Sequence, residues 1–213
     1  MQKTAFLEGE GDSWFDRNRD AVRDTSDPVL ETIVRLGLSP SCALEIGCGA
    51  GQRIGGIADR FGADCFGFDP SSEAVAHAAA RYPAVSFKIG TADHIDMADG
   101  SVDLLVFGFC LYLTDPVDHF SIAKEADRVL KDGGVAVVLD FCTPRPYRNR
   151  YSHKDGVFSH KMEFSRMLTW HPSYRLIHRE YLEHGERNTF SPDEAVAVDL
   201  IVKESCEAFP TRG

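Results

Sequence analysis

Three glycines at alternate positions, Gly47, Gly49 and Gly51, follow an acid, Glu45, near the end of the apolar run 42–46. Glycine takes positive φ and carries no Cβ, so such a turn brings backbone close to a ligand and points the N-terminus of the next helix at it. A second acid, Asp69, stands about 20 residues further on, at the end of the apolar run 65–68. There a carboxylate accepts hydrogen bonds from both hydroxyls of a ribose. Asp69 or Ser71 would also serve as the cap of a helix starting at Ser72, and the two roles are compatible if Ser71 caps while Asp69 binds. Glycines and acids together point to a ligand that carries a nucleoside. The dinucleotide pattern G-x-G-x-x-G does not fit, because Gln52 stands where its third glycine belongs. Glu45 also replaces the aliphatic residue normal at that strand end, and a carboxylate buried there needs a partner or takes up a proton.

Other chemistries are poorly served. The eight histidines form no H-x-H or H-x-x-x-H pair, so no metal is expected, and there is no G-x-S-x-G elbow. The six cysteines, at 42, 48, 65, 110, 142 and 206, contain no C-x-x-C pair and read as reduced, buried hydrophobes of a cytoplasmic protein. With 23 Lys plus Arg against 33 Asp plus Glu, the net charge of −10 makes nucleic acid a poor partner. No apolar run has the length of a signal peptide or a bilayer span.

The elements that must position these residues alternate. Asp27-Pro28 caps a helix whose apolar stripe is Val29, Ile33, Val34 and Leu36, ending at Gly37. Strand 42–46, the glycine turn and a helix with Ile54, Ile57, Ala58 and Phe61 follow. Strand 65–68, helix 72–81 and strands 85–89, 102–107 and 135–141 continue the series, with Asp115-Pro116 capping a helix that carries Val117, Phe120, Ile122 and Ala126. A short helix over 162–168, strands 174–182 and 195–203, and a polar turn at Glu186-Arg187-Asn188 close the chain. The expected fold is α/β: a doubly wound, mostly parallel seven-stranded sheet with helices on both faces and an antiparallel final strand. Residues 1–40 form an N-terminal helical lid or extension, and 41–213 a single Rossmann-like domain with a substrate-recognition insertion at 142–170.

The stretch Glu45-Ile46-Gly47-Cys48-Gly49-Ala50-Gly51 resembles the first motif, E/D-x-G-x-G-x-G, of the class I S-adenosylmethionine-dependent methyltransferases. Gly90-Thr91-Ala92-Asp93-His94-Ile95, with Asp99-Gly100-Ser101-Val102-Asp103 after it, resembles the loop that follows that family's third strand. Lys131-Asp132-Gly133-Gly134 is similar to its K-P-G-G turn, with Asp132 for proline. The resemblance covers roughly residues 40–205. It implies that Gly47, Cys48, Gly49 and Gly51 make room for the methionyl part of S-adenosylmethionine, that Glu45 serves its amino group through water or backbone, and that Asp69 and Pro70 meet the ribose. Ala92 would meet the adenine ring, either Asp93 or Thr91 its exocyclic amine, and Phe109 and Cys110 the methionyl chain. Trp14, paired with Phe15 in a polar segment, would belong to a lid.

The same resemblance implies transfer of a methyl group to O or N of a small metabolite or activated sugar, releasing S-adenosylhomocysteine. Residues 142–161 are basic, aromatic and hydroxyl-rich in an otherwise acidic chain. Arg145, Arg148, Arg150, Lys154 and Lys161 are therefore the candidates for holding an anionic acceptor, Tyr112 and Tyr151 for orienting it, and His153 and His160 for taking its proton. A solvated surface loop is the plainer reading of that stretch. A non-catalytic S-adenosylmethionine-binding protein and a nicotinamide oxidoreductase are the competing classes, the latter disfavoured by Gln52 and Glu45. No membrane partner is expected, and a homodimer is left open.

Overall fold

The computed structural model describes residues 1–19, 27–182 and 194–211. At its centre β1 (Cys42–Ile46) lies between β2 (Asp64–Asp69) and β4 (Val102–Gly108), parallel to both. β3 (Ser86–Ile89) extends the sheet beyond β2, and β5 (Leu130–Phe141) runs parallel to β4. β9 (Val196–Lys203) then pairs antiparallel with β5, and β8 (Tyr174–Leu182) antiparallel with β9, giving the order β3-β2-β1-β4-β5-β9-β8. This is the expected seven-stranded, mostly parallel sheet. Its central strands are apolar without alternation because helices cover them: Leu44, Leu105, Val106, Val137 and Leu200 are fully buried.

The packed helices are α3 (Pro28–Arg35), α4 (Gln52–Phe61), α5 (Ser72–Arg81) and α6 (His119–Val129). Asp27 caps α3 by accepting from the Leu30 amide at 2.9 Å, and Pro28 fills its first turn. Val29 and Ile33 bring α3 into the main core, whereas Val34 and Leu36 are exposed. Strand order reverses between β1 and β4, so the connections leaving their carboxyl ends run in opposite directions and leave a crevice between them.

Several boundaries differ from expectation. Asp115-Pro116 opens a 3-10 turn, Pro116–Asp118, and α6 begins only at His119; Val117 and Phe120 consequently lie on the surface. β5 begins at Leu130, which pairs with Val102 before a bulge takes up the Lys131–Gly134 turn. The helix expected over 162–168 is the single turn α7 (Arg166–Thr169). The stretch read as a loop contains a hairpin, β6 (Tyr147–Arg150) with β7 (Phe158–Lys161). The polar turn at Glu186-Arg187-Asn188 lies outside the described residues. At the N-terminus α1 (Gln2–Ala5), a π-helical turn Phe6–Glu10 kinked at Gly9, and α2 (Gly11–Asn18) make one bent segment. Among the described residues no helix is long and apolar enough to cross a membrane.

Candidate active site

A cleft of about 850 Å³, counting the open solvent at its mouth, occupies the crevice at the carboxyl ends of β1 and β4. Gly47, Asp69, Pro70, Ala92, Asp93, Phe109 and Cys110 line it, as expected, joined by Thr91, Gly90 and Gly108. Gly47 has φ 74°, and a Cβ there would stand 2.5 Å from the Cys110 Cβ, so only glycine lets the two loops meet. Asp69 accepts from the Gly49 amide at 2.9 Å and the Ser71 amide at 2.9 Å, which fixes its carboxylate beside the glycine turn. Burial raises its pKa against those two hydrogen bonds. Ser71 caps α5 through the Ala74 amide at 3.0 Å, so capping and site construction are divided between neighbours as the sequence allowed.

Glu45, Cys48, Gly49 and Gly51 do not line the cleft, and each has a structural reason. Glu45 is buried behind the turn, where Arg53 on α4 donates to its Oε1 at 2.6 Å and holds Asp27 with its Nε at 2.9 Å. Burial still lifts the Glu45 carboxyl to about 7, and its Oε2 has no hydrogen-bond partner among the described residues. Gly51, at φ 78°, is needed for packing: a Cβ would meet the Phe87 ring at 2.8 Å and Ala78 at 3.0 Å. Cys48 is a buried core residue whose thiol burial pushes well up, and the Gly49 amide serves Asp69.

The bent N-terminal segment roofs the cleft with Lys3, Phe6, Gly11 and Trp14. The two rings of the Trp14-Phe15 pair have different uses: Trp14 faces the cleft, while Phe15 is buried with Ala50 and Ala74 and stacks on His77. Sequence reasoning missed what fastens this roof. Gln2 donates to the Leu113 carbonyl at 2.7 Å, its amide donates to Asp115 at 2.6 Å, and it accepts from the Phe158 amide at 2.7 Å. Lys3 pairs with Asp93 and, at 3.7 Å, with Asp118; Asp12 accepts from Ser71 Oγ at 2.7 Å and the Glu73 amide at 3.1 Å. Burial raises the Asp93 carboxyl, but hydrogen bonds from Lys3 and Thr91 outweigh it and leave the group below its ordinary value. None of these polar residues sits in a recognisable local pattern.

The loop after β4 carries Phe109 at φ 60°, a conformation non-glycine residues rarely hold, followed by the single turn Leu111–Leu113. Asp140 on β5 anchors it, accepting from the Leu111 amide at 2.8 Å, the Tyr112 amide at 3.2 Å and the Phe141 amide at 2.7 Å. Burial raises that carboxyl to about 7. An acid inside the apolar run 135–141 was the available signal. Tyr112, expected at the cleft, does not line it but packs behind Phe109 against Phe141, where burial raises its phenol.

The basic residues are not brought to the cleft. Arg145, Arg148, Arg150 and Lys154 are exposed on and around the β6–β7 hairpin, with the Arg148 guanidinium 4.6 Å over the Phe158 ring. Hairpin pairing turns them to solvent, and only Lys161 is buried. His153 is exposed and packs edge-on to Tyr151; Tyr151 itself accepts from Arg17 at 2.9 Å and touches Phe6, tying the hairpin to the roof. His160 is partly buried, with an unpartnered Nδ1 among the described residues, and burial lowers its pKa. Among the described residues no His, Cys, Asp and Glu cluster could hold a metal.

Strand order, switch-point cleft, glycine turn and a carboxylate after β2 define a Rossmann-like fold. A family model described as a methyltransferase domain matches residues 43–134. The chain is 38% identical over 89 residues to a ubiquinone/menaquinone biosynthesis C-methyltransferase of Rubrivivax gelatinosus, covering 39% of this chain and 35% of that protein. It is 33% identical over 102 residues to a demethylmenaquinone methyltransferase of Chlorobaculum parvum, covering 48% and 42%. The matches thus span well under two thirds of these relatives' own lengths. A structure of the 1,6-didemethyltoxoflavin-N1-methyltransferase of Burkholderia thailandensis, with its substrate and S-adenosylhomocysteine bound, superposes with a TM-score of 0.74 at 15% identity, over 94% of this chain and 88% of that one, which shows a shared fold. Residues 43–134 thus match a methyltransferase domain, and the chain shares the fold of S-adenosylmethionine-dependent methyltransferases.

Proposed function

We propose that this protein is an S-adenosylmethionine-dependent methyltransferase acting on a small, ring-bearing molecule. The observation that carries the reading is the roofed cleft, which joins the Gly47 passage, the Asp69 carboxylate and the Thr91–Asp93 loop in one volume. The residues fit the cofactor. Asp69 is held ready to accept from ribose hydroxyls, and Gly47 leaves space beside Cys110. S-adenosylmethionine supplies a methyl group on a sulfonium that leaves as a neutral thioether, so the protein's task is alignment and exclusion of water.

Trp14, Phe6 and Phe109 exclude water by roofing and walling the cleft, and Tyr112 backs the Phe109 ring. His160 replaces His153 as the group that takes a proton, since its imidazole is kept neutral by burial while His153 faces solvent. The rings at the cleft end, together with relatives described as a ubiquinone/menaquinone biosynthesis C-methyltransferase and a demethylmenaquinone methyltransferase, favour an aromatic acceptor over a sugar held by the exposed arginines. Calorimetry with S-adenosylhomocysteine, followed by a product-release screen over phenols, hydroquinones, heteroaromatic amines and nucleotide sugars, tests the reading. Binding with turnover on ring substrates is expected. Binding without turnover on any class would favour a non-catalytic cofactor-binding protein, and binding of NAD(P) instead would overturn the assignment.

A further inference from the structure

Lys161, the last residue of β7, is 9% exposed, and no carboxylate pairs with it among the described residues. Its ammonium lies 4.2 Å from the Phe141 ring centroid and 5.6 Å from that of Tyr147, its cross-strand neighbour. Ring faces attract a cation without neutralising it, whereas buried charges are ordinarily paired. The ammonium is therefore an unmatched positive charge inside a ring cluster.

That cluster is continuous with the cleft. The Phe141 ring packs on Phe109 at 5.3 Å and on Tyr112 at 5.5 Å, and these two lie 5.1 Å apart. Of this cluster Phe109 lines the cleft, beside Gly47 and Cys110, and Tyr112, Phe141 and Lys161 form the layer packed against it. Nearby acids are already committed: Asp140 accepts three backbone amides, and Asp115 accepts from Gln2. The hairpin's other cations face solvent, so Lys161 is the one hairpin cation placed at the ring wall.

We propose that Lys161 is a specificity-determining residue of the acceptor site, receiving the anionic oxygen of a flat aromatic acceptor, a phenolate, laid against Phe109. The role rests on the methyltransferase reading. It predicts that the lysine is kept at a cost to the fold, since a charge buried without a partner is less stable than an apolar side chain of similar length. A lysine serving only as a packing strut predicts the opposite.

The test uses 4-nitrophenol, whose phenolate absorbs visible light, with 4-nitroanisole as its neutral counterpart, on protein saturated with S-adenosylhomocysteine in mildly alkaline buffer. The wild type should bind nitrophenolate and prefer it to nitroanisole. Lys161→Met should weaken nitrophenolate at least about tenfold, the loss of one charge-assisted hydrogen bond. It should leave nitroanisole and S-adenosylhomocysteine affinity unchanged and hold or raise Tm. Nitrophenolate binding that is absent from the wild type, equal to that of nitroanisole, or unaltered in Lys161→Met overturns the proposal. So does a lower Tm with the phenolate preference intact. If the methionine variant does not fold, Lys161→Gln is judged by the same phenolate criteria. Failure of the wild type to bind S-adenosylhomocysteine is a separate result, and it removes the methyltransferase reading together with this one.

Discussion

Asp69 shows how one side chain both builds and serves a site. Its two carboxylate oxygens already hold the Gly49 and Ser71 amides, leaving lone pairs toward the cleft for a ribose. Asp69→Ala should cost on the order of 1.5–3 kcal/mol of S-adenosylhomocysteine binding, measured by calorimetry, with the glycine turn loosened as well. Unaltered affinity in a folded variant would remove Asp69 from the site. Arg53 acts at a distance from the ligand. Arg53→Met leaves Glu45 buried without its cation, and chemical denaturation should report a loss of about 3–5 kcal/mol. Adding Glu45→Gln should recover much of that stability, because the uncompensated charge goes with it. A double variant no more stable than Arg53→Met alone would mean that Arg53 acts by packing.

At the scale of elements, we propose that the N-terminal segment controls access to the cleft. It is fastened at several points, by Gln2 to the Leu111–Leu113 turn and to β7, by Lys3 to Asp93 and Asp118, and by Asp12 to α5. These fasteners are mostly polar and near the surface, which suits an element that opens while the sheet stays intact. Amide exchange across residues 6–18 should slow when S-adenosylhomocysteine is added, while exchange in β1 and β4 stays the same. Equal protection with and without ligand would make the segment a permanent wall. Gln2→Ala, which loses two side-chain hydrogen bonds to different elements, should raise free-state exchange there without lowering global stability by more than about 1–2 kcal/mol.

For the whole molecule, three carboxyls of the sheet, the buried Glu45 and Asp140 and the partly buried Asp69, bind protons more tightly folded than unfolded, the first two raised to about 7. Between the ordinary carboxylate range and pH ~7 the native state holds the extra protons, so this contribution to stability falls as pH rises through that interval. His119 and His160, lowered by burial, act in the opposite sense, but only below their ordinary value of about 6.5. From pH ~6.5 to ~7.5 the carboxyls dominate, and Tm should decline. Asp140→Asn should flatten that decline; an unchanged slope would place the titration elsewhere. At this scale the division between sequence and tertiary structure is also plain. The α/β alternation, the glycine turn and the placing of Asp69 after a strand were legible because hydrophobic period and turn chemistry are local properties. So was the resemblance to methyltransferases, whose motifs lie within short stretches. Which glycine lines the cleft and which serves packing was not legible, since Gly47 and Gly51 differ only in what lies opposite: Cys110 for one, Phe87 and Ala78 for the other. Neither was the fate of the basic stretch. A run of arginines carries the same charge facing solvent or ligand, and only pairing of β6 with β7, setting strand register, turned Arg148 and Arg150 outward and buried Lys161 against Phe141.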